Sequence, residues 1–79
     1  MSIRVRWFAT LVKRTRSKQA MTAVDWRAGL TPLAIFLDEG FDQADAEPVM
    51  AIVNGTQTTM EAALSEGDEV EYLVGISGG

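Results

Sequence analysis

Glu69-Val70-Glu71-Tyr72-Leu73-Val74 runs directly into Gly75-Ile76-Ser77-Gly78-Gly79. In the first half, Val70, Tyr72 and Val74 alternate with Glu69, Glu71 and Leu73, the period-two pattern of a strand with one face on a core and the other toward water. Ser65-Glu66-Gly67-Asp68 before it reads as a turn. The second half ends in adjacent glycines, Gly78 and Gly79. With no Cβ on either, this segment is slim and extendable and suits a narrow channel. The Gly79 main-chain carboxylate is unhindered, a group that a partner can activate by letting it attack the α-phosphate of ATP. Four extended residues, Ile76 to Gly79, reach about 13 Å, enough to cross the wall of an active site. The bland alternative is a loose terminus that happens to be glycine.

Working outward from that strand, the start of the chain has the same period. Ile3-Arg4-Val5-Arg6-Trp7 alternates apolar and basic residues, and Phe8-Ala9 extends the pattern. Ala20 to Trp26 is a second strand, with Thr22, Val24 and Trp26 on one face and Met21, Ala23 and Asp25 on the other. The polar, basic connection from Lys13 to Gln19 lets the two pair antiparallel. Then the period changes. Thr31 is a good N-cap, Pro32 fits the first helical position and Gly40 the C-terminal cap, with Leu33, Phe36 and Leu37 as one apolar stripe. Asp42 to Glu47 adds a helical turn that Pro48 ends. Val49-Met50-Ala51-Ile52-Val53 is a continuous apolar run, long enough for a buried strand, and Asn54-Gly55 supplies a tight hairpin turn into Thr56–Thr58. Thr58-x-x-Glu61 has the form of a capping box, predicting a single turn with Met60 and Leu64 inward. Strand, strand, helix, strand, strand, strand is too poor in helices for a doubly wound sheet. The expected class is α+β: a mixed sheet of four to five strands with one main helix packed across it, over residues 1–75, followed by a flexible tail, 76–79.

Composition limits what such a domain can do. Seventy-nine residues with 47% hydrophobic and 23% charged content describe one small foldable domain, too small for a deep substrate cleft. Cysteine and histidine are both absent, which excludes thiol nucleophiles, disulfides, Cys/His zinc sites and imidazole catalysis. The apolar runs are short and the N-terminus has no continuous hydrophobic core of a leader, so the expectation is a cytoplasmic protein with no membrane partner. The formal charge of −4 hides an asymmetry: all seven basic residues precede position 28, and ten of the eleven acidic ones follow it. Acidic surface near the tail would favour a basic protein partner and disfavour nucleic acid.

The opening Ile-Arg-Val-Arg-Trp-Phe-Ala, the Val-Asn-Gly turn and the closing Glu-Gly-Asp-Glu-Val-Glu-Tyr-Leu-Val-Gly-Ile-Ser-Gly-Gly together resemble the MoaD/ThiS group of ubiquitin-like sulfur carriers. The similarity runs through almost the whole chain. It implies a β-grasp (ubiquitin-like) fold with the last strand beside the first. It further implies that an E1-like (MoeB/ThiF-type) adenylyltransferase uses ATP and magnesium to adenylate Gly79. A persulfide-bearing sulfur donor then displaces AMP, leaving a thiocarboxylate for a sulfur-accepting biosynthetic enzyme of cofactor, amino-acid or tRNA synthesis. On this reading the chain is a carrier substrate, not an enzyme, and binds no cofactor or metal itself. Gly79 is the modified residue, and Ile76, Ser77 and Gly78 lie in the partner's channel. The chain departs from the group in reading Val74-Gly75 where the molybdopterin-synthase carrier has Pro-Pro. The acceptor therefore stays open. So do two alternatives: a modifier conjugated to protein lysines through Gly79, and a non-covalent β-grasp interaction module.

Other residues have a sharp and a plain reading. Leu73 lies on the Glu69/Glu71 face and is a docking anchor if exposed, with Phe8 in the outward phase of Arg4 and Arg6; the plain reading covers Leu73 within the fold. Trp7 and Trp26 are in phase with core-directed neighbours and are read as core, as are Met21, Met50 and Met60. Lys13, Arg14, Arg16 and Lys18 lack interleaved aromatics and read as a solvated loop. Glu66, Asp68, Glu69 and Glu71 lack the spacing of a calcium loop and read as a wet face or a charged rim.

Overall fold

Five strands form one mixed sheet in the order β2-β1-β5-β3-β4. The computed structural model describes residues 2–74. The strands are β1 (Ser2–Trp7), β2 (Met21–Asp25), β3 (Val49–Val53), β4 (Thr56–Thr58) and β5 (Glu69–Val74). β1 pairs antiparallel with β2 and parallel with β5, and β3 pairs antiparallel with both β5 and β4. The last strand thus lies at the centre, beside the first. The main helix, α2 (Pro32–Asp38), covers one face of this sheet.

Alternation explains the core. Ile3, Val5 and Trp7 from β1, Val70 and Tyr72 from β5, and Val49 and Ala51 from β3 are buried together. They meet Ile35 and Phe36 of α2, with Leu11, Leu30, Phe41 and Leu64 closing the ends. Trp7 stacks on Tyr72 at 4.4 Å between ring centroids, and Phe36 on Phe41 at 4.3 Å. Trp26 is half-buried and donates its indole N–H to the Leu64 carbonyl at 2.7 Å. The Tyr72 hydroxyl donates to the Pro32 carbonyl, joining the central strand to the first turn of the helix. Burial pushes that phenol well above its usual ionisation range, and the Glu39 charge adds to the shift.

Several local expectations hold. The Thr31 hydroxyl accepts from the Ala34 amide at 3.1 Å, with Pro32 at the first helical position. Asn54 (φ 51) and Gly55 (φ 84) make the tight turn between β3 and β4. A 3-10 turn occupies Gln43–Ala46, closed by a reciprocal capping box between Asp42 and Asp45. Asp45 also meets Arg14 at 3.1 Å. The Asp42 amide and this guanidinium together hold its carboxyl below the usual range.

Others are corrected. β1 ends at Trp7, and Ala9–Val12 forms a short helix, α1, instead of prolonging the strand. The coil turns Leu11 into the core, which an extended chain leaving the sheet would not do. The buried face of α2 is Pro32, Ile35 and Phe36; Leu33 is half-buried and Leu37 is 39% exposed. The single turn expected after Thr58 is present, closed by the Ala62 amide donating to the Thr59 carbonyl at 3.3 Å, but it does not continue into helix. The Met60 carbonyl instead accepts from the Leu33 amide and the Leu64 amide donates to the Leu30 carbonyl, both at 2.8 Å. With those peptide groups committed to the segment around α2, no helical ladder remains for them, although Leu64 is buried and Met60 half-buried as expected.

Candidate functional site

The face of the sheet opposite α2 is built from the second half of each alternation. Register places Arg4 beside Glu69 and Arg6 beside Glu71 across the parallel β1–β5 pair. Met21 and Ala23 of β2 flank the two arginines on the other side. Ile52 pairs with Glu71, and Met50 with Leu73, across β3–β5. Arg4 and Glu69 form an ion pair. The result is a shallow hollow of about 210 Å³, lined by Arg4, Arg6, Met21, Ile52, Glu69 and Glu71 among others. Its charges stand in two opposed columns, with apolar side chains on either flank. Both glutamates of the predicted acidic group that belong to β5 are therefore set against arginines. Asp68 has a different role: its carboxylate accepts from the Asn54 side chain at 2.9 Å and from the Ser65 amide at 2.8 Å, tying the hairpin to the entrance of β5.

Leu73 lies on this face and is half-buried opposite Met50. Phe8 is 37% exposed, and its amide donates to the Tyr72 carbonyl at 3.0 Å, so the parallel register carries it to the side of Leu73. Ile76, Ser77, Gly78 and Gly79 lie outside the described residues.

Two methionines depart from the sequence reading. Met21 is 55% exposed, and Met50 is half-buried on the outer face, so neither fills the core around α2. The signal was present for Met21, which alternates out of phase with Val24. It was masked for Met50 and Ile52, because a continuous apolar run gives no phase. Charge near the end of β5 is mixed. Because β1 and β5 are parallel, α1 and the Lys13–Lys18 loop follow at that end of the sheet, and the pairing of Val49 with Val74 brings the acidic segment 42–47 to the same end. The acidic run 66–69 lies at the opposite end, where β5 begins.

No family model matches the chain, and no curated protein matches it. Solved structures do. SAMP1 from Haloferax volcanii superposes with a TM-score of 0.74 at 20% identity, covering 100% of both chains. The small archaeal modifier protein SAMP1 from Methanosarcina acetivorans gives 0.67 at 18% identity, over 99% of this chain and 96% of that one. A chain of the complex between subunits 1 and 2 of molybdopterin-converting factor from Helicobacter pylori gives 0.65 at 18% identity, over 100% of both. The fold is the β-grasp fold. At these identities the likeness is one of architecture, and it spans the domain from end to end. In β-grasp terms, the outer face described above is the side of the sheet that its helix leaves uncovered. Among the described residues, no group of three or more acidic side chains is arranged to hold a metal ion, and no helix is long and apolar enough to cross a membrane.

Proposed function

We propose that this chain is a ubiquitin-like protein sulfur carrier. The observation that carries the reading is the position of β5. It is central in the sheet, flanked by β1 and β3, and leads directly to the Gly78-Gly79 sequence. A domain of 79 residues is small for a nucleotide site of its own, so activation falls to an E1-like adenylyltransferase. The Gly79 carboxylate attacks the α-phosphate of ATP, releasing pyrophosphate and forming the acyl-adenylate. A persulfide on a donor protein attacks the acyl carbon and expels AMP. A second thiol then cleaves the sulfur–sulfur bond of the acyl persulfide, leaving the thiocarboxylate on Gly79 and a disulfide on the donor side. Magnesium and ATP belong to the partner. The outer sheet face, with Leu73 and Phe8 at its tail end, is the docking surface, and Ile76, Ser77 and Gly78 enter the channel. A sulfur-accepting biosynthetic enzyme takes the product.

The test is intact mass spectrometry after incubation with a candidate E1-like enzyme, magnesium-ATP and a persulfide donor. An oxygen-to-sulfur exchange localised to Gly79 is expected. Turnover of ATP without any product on Gly79 would overturn the reading.

A second reading has its own support. Two of the similar structures are named as archaeal modifier proteins. On that reading the same adenylate is passed to lysines of other proteins. Isopeptide-linked adducts bearing the Gly79 remnant, recovered from cells, distinguish the two uses.

A further inference from the structure

β2 is an edge of the sheet, and the direction of its main-chain groups follows from one bond. The Trp7 amide donates to the Ala20 carbonyl at 2.8 Å. Antiparallel pairs alternate between bonded and non-bonded positions, so Thr22 and Val24 also face β1. The amides and carbonyls of Met21, Ala23 and Asp25 therefore point away from the sheet, and none has a partner among the described residues. They open onto a groove of about 350 Å³ between this edge and α2. Val24 and the buried Ile35 give it an apolar floor beside Thr22, and Asp38 and Glu39 form its wall.

The charge on that wall selects an occupant. Asp38 ends α2 and Glu39 caps it, and the last turn contains no basic residue. Carboxylates at a helix C-terminus meet the negative end of its dipole, where a cation is favoured. The Glu39 carboxylate accepts from the Ser17 hydroxyl at 2.9 Å, its main-chain carbonyl from the Arg16 amide at 2.9 Å, and neither acid is ion-paired among the described residues.

We propose that the β2 edge binds an extended protein segment carrying an apolar residue and, two positions away on the same side, an arginine or lysine. The segment pairs as a sixth strand with Met21, Ala23 and Asp25. Its apolar side chain sits over Val24 and Ile35, and its cation meets Asp38 and Glu39. This surface goes beyond the proposed carrier function. It leaves β5 and the outer face open, so one partner can hold the domain while another works on Gly79.

The test is a titration of the full chain, followed by amide NMR, with the blocked peptide Thr-Arg-Thr-Val-Thr-Arg-Thr, which presents the same pattern in either strand direction. Shifts confined to residues 20–25 and 35–39, with contacts from the Ala23 amide to the peptide main chain, are expected. Asp38→Lys should weaken binding about five-fold or more, as loss of a charge-assisted contact does. Ala23→Pro removes an outward N–H that β1 does not use, so the fold survives while binding is lost. Equal binding of the peptide with glutamate in place of arginine would overturn the proposal. So would shifts centred on Arg4, Arg6 and Glu71, concentration-dependent shifts at the β2 edge without peptide, or no shifts at millimolar peptide.

Discussion

Tyr72 and Asn54 show how much of this small domain hangs on single polar contacts. Tyr72→Phe keeps the stacked ring but removes the hydroxyl's hydrogen bond to the Pro32 carbonyl in the core. We expect a loss of about 1–2 kcal/mol, read from the urea midpoint. The same phenol sets an alkaline limit. Its folded-state ionisation is raised above the unfolded value of 10.0. Above that pH the unfolded chain gives up a proton that the folded chain retains, so stability falls as pH rises. The fall should approach about 1.4 kcal/mol per pH unit and be absent in Tyr72→Phe, as urea titrations between pH 9 and about 11 would reveal. Asn54 combines a left-handed backbone with side-chain bonds to the Glu69 amide at 3.0 Å and to Asp68 at 2.9 Å. Asn54→Ala loses the bonds and strains the turn, whereas Asn54→Gly loses only the bonds. The alanine variant should be less stable than the glycine variant by about 1 kcal/mol in thermal melts.

At the scale of elements, α2 offers the clearest contrast. Ile35→Ala opens a cavity under the sheet and should cost about 2–5 kcal/mol, while Leu37→Ala, on the half-exposed side, should stay within about 1 kcal/mol. Measured unfolding free energies of the pair decide between the observed helix face and the Leu33/Phe36/Leu37 stripe. That stripe illustrates where reading the sequence runs out. The Thr31 cap, the Asn54-Gly55 turn and the alternation of β1 and β5 are local chemistry, so they were legible. Which of two overlapping apolar faces of a seven-residue helix turns inward depends on the strands beneath it, which are distant in sequence. The same holds for α1, whose Leu11 fills the end of a core completed by β5. The candidate site was half legible. Arg4, Arg6, Glu69, Glu71 and Leu73 declare their outward phase, but Met50 and Ile52 lie in an unbroken apolar run, and only pairing with β5 reveals their direction.

For the whole molecule, the proposed carriage of sulfur makes demands at both the tail and the sheet. Gly79→Ala should impair charging by an E1-like enzyme less than deletion of Gly79, and a bulky residue at position 78 should block it, as single-turnover adenylation assays would show. Leu73→Glu should lower kcat/KM for charging by about ten-fold or more, with little change in the circular dichroism spectrum, if the outer face is the dock. The central position of β5 has another consequence, for synthesis. Residues 4 and 69 are direct neighbours, so the middle of the sheet is missing until nearly all of the chain is available. Contacts this distant in sequence fold late. During synthesis, β1 and β3 must wait for their central neighbour, and a chain cut short before residue 69 has no strand to put between them. Such a fragment lacks the centre of its core, so the architecture makes folding itself conditional on a chain that extends through β5.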